Sequence, residues 1–284
     1  MIGDIRKNDM DLNLLKVFVS VANKKSISLA STELKCAQSN VTSRIKQLEK
    51  ILGLELFYRV PKGVILTEQG ERFYPKALEI IHKMEDAIVS ITEEKSLSQL
   101  KVGSTECNAV VRISQFLIKL HEDFPNTQLE LFTGTTKSVT ELLLDYKVDI
   151  AFISGEPKSD KLIVLKKIEE EIAILEPNSE NTPNVTLTFK EGCVYDEFLK
   201  EYYKQKDIFV EKSLSFGSLE TILSCIKVGM GKSLLPTSIV KKMGYDKDIK
   251  ITVLPKKEAN IPTCLVCRKD YIPKISDYLK NMEL

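Results

Sequence analysis

Residues 26–70 read SISLASTELKCAQSNVTSRIKQLEKILGLELFYRVPKGVILTEQG, and the spacing of their apolar side chains predicts the N-terminal architecture. Ser26 is a suitable N-cap for a helix over residues 27–35, and a further helix over residues 38–52 ends at Gly53. Upstream, Asp11 is placed to cap a helix with apolar residues at helical spacing. Three short helices joined by tight links are typical of a helix-turn-helix core.

The third of these helices carries a polar face that suits DNA. Amide and hydroxyl side chains pair with base edges, whereas cationic side chains bind phosphates. Downstream, residues 56–66 predict a strand, a turn at Pro61 and Gly63, and a second strand, which together form a wing. The helix residues also fit an ordinary solvated face. The candidate DNA contacts are Gln38, Ser39, Asn40, Thr42, Ser43, Arg44, Lys46, Arg59 and Lys62.

The charge distribution favours an anionic partner for this segment. The whole chain has a formal net charge of +1, but residues 10–66 contain nine Lys or Arg against four Asp or Glu. The remainder of the chain is mildly acidic. A basic module of this kind most commonly binds the polyphosphate backbone of a nucleic acid.

Length and composition limit the other possibilities. With 284 residues, of which 43% are hydrophobic and 29% charged, the chain has the composition of a two-domain globular protein and not of a disordered one. No run approaches the about 18 apolar residues of a membrane span, and the N-terminus lacks a secretory apolar region. We therefore expect a cytoplasmic protein with no membrane partner. The six cysteines predict reduced thiols because most of them lie far apart.

A long helix is predicted over residues 67–95, with Thr67 as its N-cap and a slight bend at Pro75. One apolar stripe follows the helix at a spacing that alternates between four and three, as in a coiled-coil seam. A second copy of the chain is the natural cover for this stripe, and packing against the chain's own C-terminal part is the alternative. The stripe consists of Phe73, Ala77, Ile80 or Ile81, Met84, Ile88 and Ile91.

From residue 100 onward, strand and helix patterns alternate, which predicts an α/β fold with a mainly parallel sheet. Several runs of the chain are distinctive when they are taken as a set. They are Phe18-x-x-Val21-Ala22, residues 26–30, residues 37–45, Leu54-x-Leu56-Phe57-x-Arg59, Leu66-Thr67-x-x-Gly70, and residues 151–155, 189–195 and 217–225. Through these runs, nearly the whole chain resembles the LysR-type family of bacterial transcriptional regulators.

The resemblance implies an N-terminal all-α winged helix-turn-helix domain over residues 1–66 and a dimerising linker helix over residues 67–95. Residues 96–284 would form a periplasmic-binding-protein-like, two-lobed α/β domain, with lobe I at about 100–154 and 263–284 and lobe II at about 155–262. It also implies a homodimer or homotetramer whose sequence-specific binding to double-stranded promoter DNA responds to a small-molecule effector. Ser31, Ser39, Tyr146 and Asp196 depart from the residues that are usual in the family.

An effector cleft is expected where strands end and helices begin, because hydroxyls and helix N-terminal amides bind small anions. Each candidate position also fits an ordinary turn or N-cap. The candidate effector-binding residues are Ser104, Thr105, Thr135, Thr136, Ser154, Cys193, Gly217 and Ser218.

Two other functional classes remain open from the sequence. Cys193, just before a helix, suggests a thiol-based redox-sensing transcription factor. A small-molecule-binding or enzymatic α/β protein is the further alternative, although His82 and His121 lie in no nucleophile motif. Cys264-x-x-Cys267 lies in a strand pattern without a second pair at zinc spacing. We therefore predict no catalytic residue, no metal and no cofactor apart from an effector of unknown identity.

Overall fold

The computed structural model describes residues 10–92, 99–179 and 182–283, and it divides into two compact units, Met1–Lys95 and Ser96–Leu284. Residues 1–9 of the predicted DNA-binding domain and residues 93–95 of the predicted linker lie outside the described residues, as does the side chain of Ile91. Within the described ranges, no helix is both long enough and apolar enough to cross a bilayer.

The first unit begins with three short helices. In α1 (Leu12–Lys24), the carboxylate of Asp11 accepts a hydrogen bond from the first turn, and Ser26 caps α2 (Ile27–Glu33) in the same way. α2 ends earlier than predicted because Lys35 adopts a left-handed conformation with φ of 50°. The third helix, α3 (Gln38–Leu52), ends at Gly53, which is also left-handed.

A β-hairpin completes the core of this unit. Strands β1 (Phe57–Val60) and β2 (Gly63–Leu66) pair antiparallel. Phe18 of α1 is fully buried, and its ring lies 5.4 Å from that of Phe57 and 5.3 Å from that of Phe73. The first helix, the hairpin and the following helix therefore share one aromatic core.

The predicted long helix is α4 (Glu68–Thr92), and it contains Pro75. The Thr67 hydroxyl accepts a hydrogen bond from the amide of Gly70 at 2.9 Å, which satisfies one of the free donors of the first turn. Thr67 is thus the N-cap that the sequence predicts.

The second unit alternates strands and helices, and one π-helical turn interrupts the helix that follows its first strand. This turn, Ala109–Ile113, lies between α5 (Glu106–Asn108) and α6 (Ser114–Asp123). The other elements are β3 (Gln99–Thr105), β4 (Gln128–Gly134), α7 (Thr136–Leu144), β5 (Ile150–Ser154), β6 (Leu162–Ile168), β7 (Ile172–Pro177), β8 (Val185–Thr188), α8 (Val194–Gln205), β9 (Lys212–Ser215), α9 (Leu219–Lys227), β10 (Ser233–Pro236), α10 (Thr237–Lys242), β11 (Ile249–Val253), β12 (Thr263–Arg268) and α11 (Ser276–Asn281).

The strands of the second unit form separate sheets. A five-stranded sheet has the order β4-β3-β5-β12-β6, in which β3 is parallel to both neighbours and β12 is antiparallel to both. A three-stranded sheet with the order β10-β7-β11 is antiparallel throughout, and β8 pairs with β9 in parallel. The prediction of a mainly parallel sheet is therefore wrong, because an apolar strand pattern reports burial and does not report strand direction.

The predicted lobe boundary at residue 155 is also wrong. Strand β6 pairs with β12 inside the five-stranded sheet, with Ile168 opposite Thr263. The chain crosses to the second group of strands through residues 169–171 and returns through residues 254–262. Gly155, with φ of 81°, instead starts the connection from β5 to β6.

Candidate functional site

Gln38, Thr42 and Lys46 follow one another at a spacing of four on α3 and share one face of the helix. Gln38 and Lys46 are exposed, while the Thr42 hydroxyl donates to the carbonyl of Gln38 at 2.9 Å. The Gln38 amide donates to the Ser28 hydroxyl at 3.0 Å, which ties the start of α3 to α2. The polar face is therefore held in a defined position on the three-helix core.

The remaining α3 candidates lie beside this face. Ser39 and Ser43 are exposed, and Arg44 Nε donates to the Asn40 side chain at 2.9 Å. This bond orients the Arg44 guanidinium along the helix surface, where it is half-buried.

Glu49 positions the wing against α3. Its carboxylate accepts hydrogen bonds from the amides of Leu56 and Phe57, at 2.8 and 3.3 Å. At the hairpin turn, Gly63 has φ of 135°, and a Cβ added there would lie 2.2 Å from the carbonyl oxygen of Lys25. Only glycine permits this close approach of the hairpin turn to the link between α1 and α2.

A groove of about 300 Å³ lies between α3 and the wing. Thr42 and Lys46 line it from α3, and Tyr58 and Arg59 line it from β1. Lys46, Arg59 and Lys62 are exposed, and none of them forms an ion pair with another residue of the described ranges. The structure thus brings Thr42, Lys46 and Arg59 together, while Lys62 lies at the hairpin turn. Cations of this kind can bind the phosphates of a nucleic acid.

The predicted seam on α4 separates into two rows. Ala77 and Ile81 are buried in the core of the first unit. Ile80 and Met84 are 46% and 49% exposed, and the outer row that they form continues to Ile88. The choice between positions 80 and 81 that the sequence left open is thereby resolved, because Ile81 packs inward and Ile80 points outward.

In the second unit, the ends of β3 and β5 bring several candidate effector residues together. The Thr105 hydroxyl lies 3.4 Å from that of Ser154. The Thr136 hydroxyl, in the first turn of α7, donates to the Ser154 carbonyl at 3.2 Å. Thr135 caps α7 through reciprocal hydrogen bonds with Ser138. These hydroxyls meet at the C-terminal edge of the five-stranded sheet, where α/β proteins bind ligands.

The other candidates are placed differently. Ser104 is fully buried, and its hydroxyl donates to the carbonyl of Thr105 at 2.9 Å. Cys193 is buried at the start of α8. Gly217 and Ser218 precede α9, which Ser218 caps. Ser104 and Ser218 therefore have structural hydrogen bonds of their own.

Sequence reasoning missed a buried polar network that reaches this cluster. Arg112 Nη2 lies 2.6 Å from Glu170 Oε1, and the two side chains are only 10% and 3% exposed. Asn108 donates to the Thr105 hydroxyl at 2.8 Å and accepts from Arg112 at 3.2 Å. The Thr263 hydroxyl lies 2.9 Å from both Asn108 Oδ1 and Glu170 Oε1. One continuous chain of hydrogen bonds thus joins the buried ion pair to the candidate effector residues.

The sequence contains one signal for this network, the three consecutive acids at residues 169–171 between two apolar strand patterns. A glutamate is almost never fully buried unless it is paired, so an acid that faces inward here requires a cation. Nothing in the local pattern identifies Arg112 as that cation, because it lies on a distant helix.

Burial determines the chemistry of the cysteines. Desolvation raises the pKa of the Cys193 thiol, and it raises the pKa of Cys107 well above its ordinary value. Burial also raises the pKa values of Cys264 and Cys267 to about 11. Because the thiolate is the reactive form, these shifts disfavour a redox role for Cys193. In the part of the chain that the structure describes, no His, Cys, Asp and Glu side chains cluster as a metal site would require.

Comparisons with known proteins extend over both units. The family described as bacterial regulatory helix-turn-helix protein, lysR family, matches residues 12–71, and the LysR substrate binding domain matches residues 94–277. The HTH-type transcriptional regulator GltR of Bacillus subtilis (strain 168) is 33% identical over 286 residues, which cover 96% of each chain. A cysteine-to-aspartate variant of full-length OxyR from Pseudomonas aeruginosa aligns with a TM-score of 0.75 at 20% identity, over 96% of this chain and 94% of that chain. Full-length CbnR complexed with target DNA aligns with a TM-score of 0.59 at 20% identity, over 94% of this chain and 96% of that chain.

Proposed function

Because this chain belongs to the LysR family of bacterial transcriptional regulators, we propose that it binds promoter DNA as a homodimer or homotetramer and that a small effector modulates this binding. Its relatives are named as transcriptional regulators and not as enzymes, which removes the enzymatic alternative. Regulators of this family bind DNA, and CbnR has been solved on target DNA. Because promoter DNA lies in the bacterial cytoplasm, we expect the protein to act there.

The exposed polar and cationic side chains on α3 and the wing support DNA binding most directly. We assign α3 to the major groove, where Gln38 and Thr42 face base edges. Arg59 and Lys62 on the wing then bind phosphates or the adjacent minor groove. Glu49 keeps the two elements in register because it binds the backbone of the wing from within α3.

Assembly is supported by two apolar surfaces. The outer row of α4 gives a dimer seam around Ile80 and Met84. In the second unit, β4 is an edge strand that exposes Leu131 and Phe132. An apolar edge strand favours pairing with another chain, which supports a second contact and hence a tetramer.

The proposed effector site lies at the strand ends that carry Thr105, Thr136 and Ser154. A ligand there alters the relative position of the two groups of strands only through its differential affinity for the two arrangements. A redox response through Cys193 is the weaker alternative, because the thiol is buried and its pKa is raised.

Genomic footprinting tests the DNA-binding proposal. The purified protein is incubated with the sheared chromosome of its own cell, and protected fragments are sequenced. We expect a small set of promoter sites with two half-sites about one helical turn apart, or a multiple of it. Protection without any enriched site would contradict sequence-specific regulation. The Lys227→Ala/Lys250→Ala variant, altered on the second unit, serves as the control and is expected to protect the same sites.

A further inference from the structure

The buried Arg112–Glu170 pair lies where the two groups of strands are connected. Glu170 belongs to the first crossover, residues 169–171. Thr263 opens β12 directly after the second crossover, and Arg112 lies on the π-helical turn. The pair is therefore located at the hinge of the second unit.

Groups from both sides of the hinge converge on the Glu170 carboxylate. Oε1 lies 2.6 Å from Arg112 Nη2 and accepts the Thr263 hydroxyl at 2.9 Å. Oε2 accepts the hydroxyl of Ser238, which is on α10, at 3.2 Å. One cation and two hydroxyls around a desolvated carboxylate are the arrangement by which pockets bind carboxylate ligands.

The chain supplies this carboxylate from a short connection and not from a helix or a paired strand. Its neighbour Glu169 instead forms an exposed ion pair with Lys256 at 3.1 Å. Movement of the crossover would remove the Glu170 carboxylate from Arg112 without unfolding either group of strands. An unpaired buried guanidinium is unfavourable, so Arg112 would then require another anion.

We propose that Arg112, Thr263 and Ser238 form a binding site for a small organic carboxylate and that Glu170 occupies this site as an internal ligand. A free carboxylate that displaces Glu170 releases the first crossover. Through Asn108, the same event reaches Thr105 and Ser154. The inference deepens the proposed function and rests on it, because it gives the chemical class of the effector.

In the wild-type protein, a free carboxylate competes with the Glu170 side chain for Arg112, and this competition lowers the affinity that an experiment measures. A tethered carboxylate has an effective concentration in about the millimolar range or above, so the wild-type protein binds free carboxylates weakly. The Glu170→Gln variant keeps the side-chain volume but offers Arg112 only a neutral amide. Charge-assisted hydrogen bonds are about twice as strong as neutral ones, so a free carboxylate displaces the amide more readily.

The experiment measures acetate binding to the full chain by calorimetry, with acetamide as the neutral isostere and with chloride keeping the ionic strength constant. We expect Glu170→Gln and Glu170→Ala to bind acetate at least about tenfold more tightly than wild type, with no saturable response to acetamide. Adding Arg112→Gln to either variant should abolish acetate binding. The matched control Glu169→Ala should behave as wild type does.

Three results would overturn the inference. These are equal acetate affinity in wild type and Glu170→Gln, acetate binding that persists without Arg112, and acetamide binding as tight as that of acetate. If Glu170→Ala fails to fold in chloride, its refolding in acetate supports the site, and failure to fold in both salts argues against it. Filling of an empty cavity cannot explain acetate binding by Glu170→Gln, because its side chain leaves no cavity.

DNA footprints recorded with and without acetate separate this inference from the proposed function. An acetate-dependent change in the footprint of Glu170→Gln supports both. Acetate binding without DNA protection by any variant refutes the proposed function and leaves the carboxylate site standing. A footprint that stays constant although acetate binds refutes the effector role of the carboxylate.

Discussion

Replacing Arg59 and Lys62 on the wing with alanine is expected to weaken binding to every DNA sequence and to flatten its salt dependence. Both side chains are exposed, and neither forms an ion pair within the described part of the chain, so each is able to bind one phosphate. In a dimer, the double variant removes about four phosphate contacts. Each contact adds about −0.9 to the slope of log affinity against log salt, so the slope should become less steep by about 3.6.

This change in slope is large enough to measure. Across a fourfold range, from about 50 to about 200 mM salt, wild type should lose about 150-fold more affinity than the double variant. Fluorescence anisotropy of a labelled duplex at several KCl concentrations gives both slopes, on the footprinted site and on a random duplex. The control is Lys227→Ala/Lys250→Ala, which removes the same charge from side chains paired with Asp248 and Glu176.

Equal slopes of log affinity against log salt for wild type and the wing variant would refute the assignment of the wing to DNA, because they would mean that neither cation binds a phosphate. A control variant that flattens the slope as much as the wing variant does would refute it equally, since net charge and not position would then explain the effect.

Four further outcomes are expected. Gln38→Ala should lose about 1–3 kcal/mol on the preferred site and little on random DNA in competition assays, because an amide reads a base edge and not the backbone. Ile80→Glu with Met84→Glu should lose one assembly contact in sedimentation, falling from tetramer to dimer or from dimer to monomer, because charges in an apolar seam are desolvated, and an unchanged assembly would mean that the seam lies elsewhere. Cys193 should react with iodoacetamide more slowly than a free cysteine at neutral pH and faster only as the pH rises above the ordinary thiol pKa, because burial raises its pKa. Arg268→Met should lower the free energy of unfolding in urea by about 2–4 kcal/mol, since the buried guanidinium stacks 3.6 Å from the Tyr146 ring and donates to the Leu143 carbonyl at 2.6 Å.

The first unit could be predicted closely because its signals are local. Asp11 and Ser26 cap helices within one turn of their own positions, and Gly53 ends α3 at the residue where the apolar period stops. The apolar period alone does not separate the inward and outward rows of α4, since Ile80 and Ile81 both fit it. Only contact with the three-helix core distinguishes them, and that contact depends on the fold.

The second unit could be predicted only in part, because its organisation depends on contacts between residues that are far apart in the chain. Gly155 begins a connection within one sheet, and it looks like a boundary only when the pairing of β6 with β12 is unknown. Thr105 and Ser154 were found because strand ends are visible as the last residues of apolar runs. Arg112 and Glu170 were missed because a buried ion pair has no period and no spacing in the sequence.

The hydrogen bonds of the candidate effector cleft determine how a ligand can act there. Ser154 and Asn108 each already form a hydrogen bond with Thr105, and Glu170 already pairs with Arg112. A ligand must therefore replace each bond that it breaks, because a buried polar group left unpaired costs about 1–3 kcal/mol. A molecule that lacks one matching group gains little from its remaining contacts. We expect the cleft to discriminate sharply between similar small molecules while binding even the correct one with moderate affinity, which suits a switch that must release its ligand when the concentration falls.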